Sequence, residues 1–325
     1  MKFKKAIYQY EILFITISFF SCAPFFIDSL PLRINYSNQK SNTDTSTSPS
    51  VNFYNCCEGM IFNKSTAMIV CGNGRQVYVS RYDLDINQES FEQLKLHLLC
   101  KVDEQNVTEI DISLSQPSKS FTFERKDNNE EIVRTLAVLL PDKEGGILSI
   151  LCESSGEIDT SFFIDVIKYI TINDIPRSII LSKNPTVIDF LGRSLNLNSS
   201  CWLYHPRNLA CYNTGQISWD THSNLTDAQK ACDIQLENTL SKRRVKKVSD
   251  ENVHMIFEGK QVNCRRINVQ IPAIGLFKWR TLIIYYIATE IRGRYAHCVC
   301  SYYEDQAPKG CIPALLAEVL EFPKI

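Results

Sequence analysis

Thirteen cysteines in 325 residues, against only 12 glycines, constrain this chain more than any other feature. Free thiols at that density are hazardous unless they are oxidised to disulfides or bound to metal. Disulfides persist in oxidising compartments, so the amino terminus bears directly on which applies. Lys2, Lys4 and Lys5 precede the apolar run of residues 12–20, and Ser21-Cys22-Ala23 follows with small residues at cleavage-like positions. Residues 1–23 therefore read as a secretory signal peptide. A signal anchor is the competing reading, because residues 23–27 extend the apolar span. Removing the signal takes Cys22 with it and leaves 13 − 1 = 12 cysteines, the even number that a disulfide framework needs.

Secretion is consistent with the sequons at Asn35, Asn63, Asn106, Asn198 and Asn224, each a candidate glycosylation site, although so short a pattern also arises by chance. Residues 24–52 are read as a flexible polar arm, since 37–52 (SNQKSNTDTSTSPSVN) offers almost nothing apolar to offset the entropy of ordering. Beyond it, hydrophobic residues at 44% and charged residues at 22% suit globular domains with real cores. Lysine plus arginine total 35 against 36 acidic residues, a net charge of −1, so no global attraction to nucleic acid or anionic membrane is expected.

Short apolar runs recur along the chain: TAMIVC ending at Cys71, QVYVS from Gln76, KLHLLC ending at Cys100, RTLAVLLP from Arg134 and GILSILC ending at Cys152. Their length and β-branched content predict strands. Ile110, Ile112 and Leu114 alternate with Asp111 and Ser113, the period of a sheet with one wet face. The second half repeats the style at 267–271, from Thr281, and at 295–303. Helix is expected only around 225–242, with Thr226-Asp227 as its cap and Ala231, Ile234 and Leu236 following. The closing ALLAEVLEF fits strand or helix equally. The fold class expected is all-β: two disulfide-stapled β-sandwich domains in tandem with minor helix. Turn residues after Ile172 place the domains at 53–172 and 173–325. Five cysteines fall in the first (56, 57, 71, 100, 152) and seven in the second (201, 211, 232, 264, 298, 300, 311). Odd counts on both sides imply, if all are oxidised, a bridge between domains or to a partner.

The spacing of these cysteines resembles the six-cysteine family of apicomplexan parasite surface proteins, whose paired β-sandwich domains carry up to six cysteines each. Cys57 and Cys71 match the opening pair. Tyr295-Ala296-His297-Cys298-Val299-Cys300 approximates the closing aromatic-x-Cys-x-Cys strand with the aromatic one place upstream, and LSILCESS at Cys152 its single-cysteine counterpart. The resemblance implies Cys57–Cys71 and Cys100–Cys152 in the first domain, and Cys201–Cys211, Cys232–Cys300 and Cys264–Cys298 in the second. Cys56 and Cys311 have no place in the pattern and are left as an extra pair.

Other chemistry is weakly represented. His297-Cys298-x-Cys300 holds zinc-type ligands, but zinc sites usually separate cysteines by two to four residues, so disulfides are favoured. The nearest approach to a serine-hydrolase elbow, residues 152–156, starts with cysteine where glycine is needed. Gly72-Asn73-Gly74 lacks the third glycine, lysine and helix of a phosphate loop and reads as a turn. No metal and no cofactor are expected. Trp202, Tyr204, Trp219, Trp279, Tyr285 and Tyr286 concentrate aromatics in the second domain, where they suit an interface or a core.

The densest charge is Lys242, Arg243, Arg244, Lys246 and Lys247. It reads as a solvated loop, as a surface for sulfated glycan or an acidic partner, or as a cleavage site for a protease that favours basic residues. The carboxyl end carries Glu318, Glu321 and Lys324 without a long apolar tail, so the mature chain is expected to have no membrane span. The functional expectation is a secreted or surface-associated recognition protein without catalytic activity. It would bind a membrane-anchored protein partner or host receptor, as the resemblance implies. A secreted hydrolase, its triad scattered in sequence, is the alternative.

Overall fold

A computed structural model describes residues 34–35 and 57–323, except 64, 100–101, 103–105, 127–131, 144, 155–156, 177–178, 273–278 and 309. The signal peptide 1–23, the arm apart from Ile34–Asn35, Cys56, Cys100 and the side chains of Asn35 and Asn63 lie outside the described residues. The fold is mostly β, as two β-rich, sandwich-like domains in tandem. The division falls between Lys183 and Asn184, later than the turn signal after Ile172. The reason is pairing: Ile180–Leu181 adds a parallel strand to the first sheet, with Ile180 opposite Gly59. A Cβ on Gly59 would sit 2.9 Å from Ile180 Cδ1, so a larger residue there would have to displace the end of the Ile180 side chain.

The first domain contains β1 (Ile34–Asn35), β2 (Glu58–Asn63), β3 (Thr66–Val70), β4 (Gln76–Tyr82), β5 (Val107–Ile110), β6 (Lys119–Lys126), β7 (Ile132–Pro141), β8 (Ile147–Ser154), β9 (Ile175–Pro176) and β10 (Ile180–Leu181). Eight form one sheet in the order β10-β2-β3-β4-β8-β7-β6-β5, while β1 and β9 pair separately. Gly72-Asn73-Gly74, all at positive φ, turn β3 into β4, and Arg75 N donates to Gly72 O at 3.0 Å. The alternation expected over 107–114 persists as strand only to Ile110, and Ile112 is buried beyond it.

Two helices cover this sheet, neither of them expected. Helix α1 (Gln88–Leu98) takes in most of the run KLHLLC read as a strand, and α2 (Thr160–Asn173) is the run before the assigned boundary. Their caps are local: Asn87 Oδ1 accepts from Ser90 N at 2.8 Å, and Asp159 Oδ1 from Phe162 N at 3.1 Å. Phe91 and Leu94 pack with Phe121, Phe123, Ala137 and Leu139 on one side of the sheet. Phe163, Val166, Ile167 and Ile170, spaced for one helical face, pack with Leu136, Val138, Ile150 and Cys152 on the other. Since β7 alternates between the two clusters, it is apolar from Leu136 to Leu140 and buried from Thr135 to Leu140.

The second domain contains β11 (Val187–Phe190), β12 (Arg193–Asn196), β13 (Cys201–His205), β14 (Asn208–Cys211), β15 (Gly215–His222), α3 (Leu225–Ser241), β16 (Lys246–Phe257), β17 (Lys260–Pro272), β18 (Trp279–Ile291), β19 (Arg294–Tyr303), α4 (Ala314–Ala317) and β20 (Leu320–Glu321). Its eight-stranded sheet runs β13-β14-β15-β19-β18-β17-β16-β20, with β11-β12 as a separate hairpin. The expected helix is present as α3, but Asn224 caps it, accepting from Asp227 N at 2.9 Å. The buried residues are Ala228, Cys232 and Leu236, while Ile234 is exposed.

Three hairpins turn on two-residue X-Gly loops with both residues at positive φ: Leu191-Gly192, Glu258-Gly259 and Arg292-Gly293. The Glu258 carboxylate, almost fully buried, draws them together. Arg193 donates to it through Nε and Nη2 at 3.1 and 2.8 Å, Arg292 pairs with it, and Arg292 Nη1 also reaches Leu191 O at 3.3 Å. Arg193 Nη2 additionally donates to Glu318 O at 2.9 Å, tying in the segment before β20.

Among the described residues two disulfides are formed, Cys57–Cys71 and Cys201–Cys211, with Cα separations of 4.1 and 4.0 Å. Cys152, Cys232, Cys264, Cys298 and Cys300 are free thiols, which departs from the remaining pairs implied by the family resemblance, and Cys311 is free as well, which departs from the extra pair with Cys56. Geometry explains two of them. Cys232 lies on α3, whereas Cys300 points to the opposite face of the sheet, so the backbone of the sheet separates them. Cys264 on β17 and Cys298 on β19 have β18 between them, about 9.6 Å at two strand spacings. A disulfide spans Cα atoms only to roughly 7 Å. Cys152 is buried among core side chains and Cys311 is exposed.

Burial pushes the thiols of Cys232 and Cys264 up to about 12 and raises those of Cys152 and Cys298 as well. Iodoacetamide at pH 8 is expected to label Cys311 in the folded protein and Cys152, Cys232, Cys264 and Cys298 only after unfolding, as read by peptide mass spectrometry. Glu258→Ala should lower the unfolding free energy by about 3 kcal/mol, the scale of removing one partner from a buried ion pair, in a urea titration. Arg292→Ala should cost about 1 kcal/mol, because that side chain is partly exposed.

Candidate functional site

The basic segment starts where α3 ends. Lys242 is the C-cap of α3, and Val245 N donates to Lys242 O at 2.9 Å, turning the chain into β16. Cations at a helix C-terminus complement its dipole, which accounts for Lys242 and its immediate successors. Arg243, Arg244, Lys246 and Lys247 are exposed. β16 lies between β17 and β20, but β20 pairs only with Ile256 and Phe257, leaving the strand's earlier residues at the sheet edge. A register shift between Lys247 and Ser249 makes Val248 a bulge residue, 57% exposed. Charge and a bulge on an edge are common defences against unwanted strand pairing.

Register separates the two lysines. Lys247 faces Val269, on the side of the sheet covered by α3, and Lys246 faces Gln270 on the other. Lys247 Nζ lies 3.3 Å from Asp250, which Arg265 also holds through Nε and Nη2 at 2.8 and 2.9 Å. Those hydrogen bonds, Arg265 foremost, hold the Asp250 carboxyl down at about 2. Lys246 instead sits above the Trp279 ring, 4.2 Å from its centroid, and Trp279 is 43% exposed. Of the aromatics singled out in sequence, Trp219, Tyr285 and Tyr286 are core residues, and Trp202 and Tyr204 meet edge to face at 5.8 Å. Trp279 is the one that joins the basic segment. The sequence concealed this, since 32 positions separate Trp279 from Lys247 and only the β16-β17-β18 ladder brings them together.

A second polar cluster lies under α3. His222 Nε2 and His297 Nδ1 are 2.7 Å apart, and Gln235 Nε2 approaches His297 Nε2 at 3.0 Å. Both nitrogens of the buried His297 are therefore engaged by neighbouring side chains. Asp220 lies directly opposite His297 in the ladder. Sequence spacing could not show this pairing, because β15 and β19 are joined only through the sheet. The alternation of β19 also separates the three residues read as a metal motif: His297 faces α3, while Cys298 and Cys300 face away, with sulfurs 3.7 Å apart.

Asn106, Asn198 and Asn224 are exposed, at the start of β5, before β13 and at the cap of α3. Asn198 Oδ1 accepts from Ser200 N at 2.9 Å, an Asx turn. A cavity of about 340 Å³ beside β5–β7 is lined by Asn106, Thr108, Thr122, Phe123, Glu124 and Arg134, with Arg134 and Glu124 paired at 2.7 Å. Among the described residues, no helix is long and apolar enough to cross a membrane.

No protein-family model and no curated protein sequence matches the chain. Among solved structures, it is similar to the apo immunity protein TplEi of the T6SS from Pseudomonas aeruginosa. Identity is 9%, with 78% of this chain and 90% of that chain covered and a TM-score of 0.24. The Tle4–Tli4 complex is matched at 9% identity over 79% of this chain and 89% of that one, with a TM-score of 0.22. Likeness at these scores carries no inference about function.

Replacing His297 with Ala is expected to leave His222 and Gln235 short of a partner and to cost about 1–3 kcal/mol beyond the lost ring packing. Hydrogen exchange should show the loss as faster exchange in Leu225–Ser241 than elsewhere in the second domain.

Proposed function

We propose that the chain is a secreted or surface-associated recognition protein without catalytic activity, similar in role to the six-cysteine surface proteins it resembles. It would engage a membrane-anchored protein partner or a host-cell receptor. The observation that carries this reading is the exposed cationic edge of β16 with Trp279 beside it, a surface built on a rigid sheet. Exposed aromatic and arginine side chains are the types that anchor interfaces. Support for an oxidising compartment comes from the two disulfides and the signal-like start. Asn106, Asn198 and Asn224 are exposed and so accessible to glycosylation.

The hydrolase alternative would need a histidine free to move a proton to and from substrate. His297, the histidine opposite a carboxylate, has both ring nitrogens committed to His222 and Gln235, which favours a structural role for it. A second reading of the recognition surface is a sulfated glycan on Arg243, Arg244, Lys246 and Lys247, favoured by their clustering on one exposed segment.

Purified protein should bind parasite or host cell surfaces saturably and turn over none of a panel of esters, peptides and glycosides. Turnover abolished by one Ser, His or Asp substitution would overturn the proposal. In parallel, the combined Arg243→Ser, Arg244→Ser, Lys246→Ser and Lys247→Ser variant should elute from heparin at lower salt than the wild type.

A further inference from the structure

Resting on the polyanion reading of the basic segment, we propose that Trp279 and Lys246 form a sugar-stacking subsite for a sulfated polysaccharide, flanked by Arg243 and Arg244 as sulfate partners. Helix-end electrostatics explain cations at 242–244 but neither Lys246 nor the exposed indole. Lys246 and Trp279 lie on the same face of the sheet, one strand apart across β17: Lys246 opposite Gln270, and Trp279 opposite Pro272. The lysine ammonium lies over one face of the indole, 4.2 Å from the ring centroid, and Trp279 still has 43% of its surface exposed to receive a sugar ring beside that charge.

That combination favours a sulfated sugar over a purely acidic polymer. A pyranose ring offers axial C–H groups to an aromatic face, and its sulfates accept charge-assisted hydrogen bonds, from arginine in bidentate geometry. An acidic peptide would use the cations and leave the indole idle. Nearby cations are already engaged elsewhere: Arg280 stacks on Tyr303, 3.7 Å from its centroid, and pairs with Asp305 at 2.7 Å, and Arg265 is held by Asp250. Arg243 and Arg244 are exposed three and two positions before Lys246, which itself lies over Trp279.

The test is a salt-dependent titration of the full chain with heparin, with hyaluronan and polyglutamate as carboxylate-only probes, and anionic phospholipid vesicles as a lipid probe. Heparin should bind best. Trp279→Ala should weaken heparin binding about tenfold with the salt slope unchanged, while Trp279→Phe restores most of the affinity. Lys246→Gln should weaken binding and reduce the magnitude of the salt slope by about one. Trp279 is exposed, so matching thermal unfolding midpoints will confirm that each variant is folded. Full heparin affinity in folded Trp279→Ala would overturn the subsite. Equal binding of hyaluronan, polyglutamate or vesicles would overturn the sulfated class. The underlying reading fails separately, if the fourfold Ser variant keeps its heparin retention.

Discussion

The buried Glu258 carboxylate is the interaction around which the second domain is arranged. One acidic side chain, in a left-handed turn residue, receives arginines from the β11–β12 and β18–β19 hairpins, and Arg193 passes the connection on to the Glu318 carbonyl. Taking a carboxylate out of water is costly, and here two guanidinium groups offset that cost while fixing where three turns meet. The strands leading from those turns inherit their register. Because each loop has only two residues, a slip by one position would exchange the faces of every side chain beyond it.

Register then decides the chemistry of the cysteines and histidines. In β19 the period of two sends His297 and Val299 toward α3 and Cys298 and Cys300 the other way. Residues adjacent in sequence thus lie in different environments: the imidazole enters a polar pair with His222, while the Cys298 thiol is buried and held protonated. Such thiols are poor nucleophiles and poor ligands, because both roles need the thiolate.

The basic surface follows from a different constraint, the open edge of β16. A long edge strand exposes unpaired backbone groups and invites association, and this one carries lysines, a bulge at Val248 and acidic residues along its length. Devices that keep an edge from pairing with another strand also make it polar and charged. In this chain they coincide with an exposed tryptophan, and that coincidence is the basis of the docking surface proposed.

Much of this was legible in the sequence. Strand-length apolar runs, the turn at Gly72-Asn73-Gly74 and the amphipathic stretch of α3 are local patterns, and local sterics and periodicity are sufficient to read them. Even so, α1 and α2 were hidden, because short apolar runs such as KLHLLC fit a buried helix and a buried strand equally well until the sheet is present to be covered. The basic segment, too, was visible as composition. Its partner Trp279, the pairing of His222 with His297, and the gathering of three turns on Glu258 were not. Each depends on which strands lie side by side, and pairing between distant segments is set by the burial of whole faces rather than by any residue's neighbours in the chain.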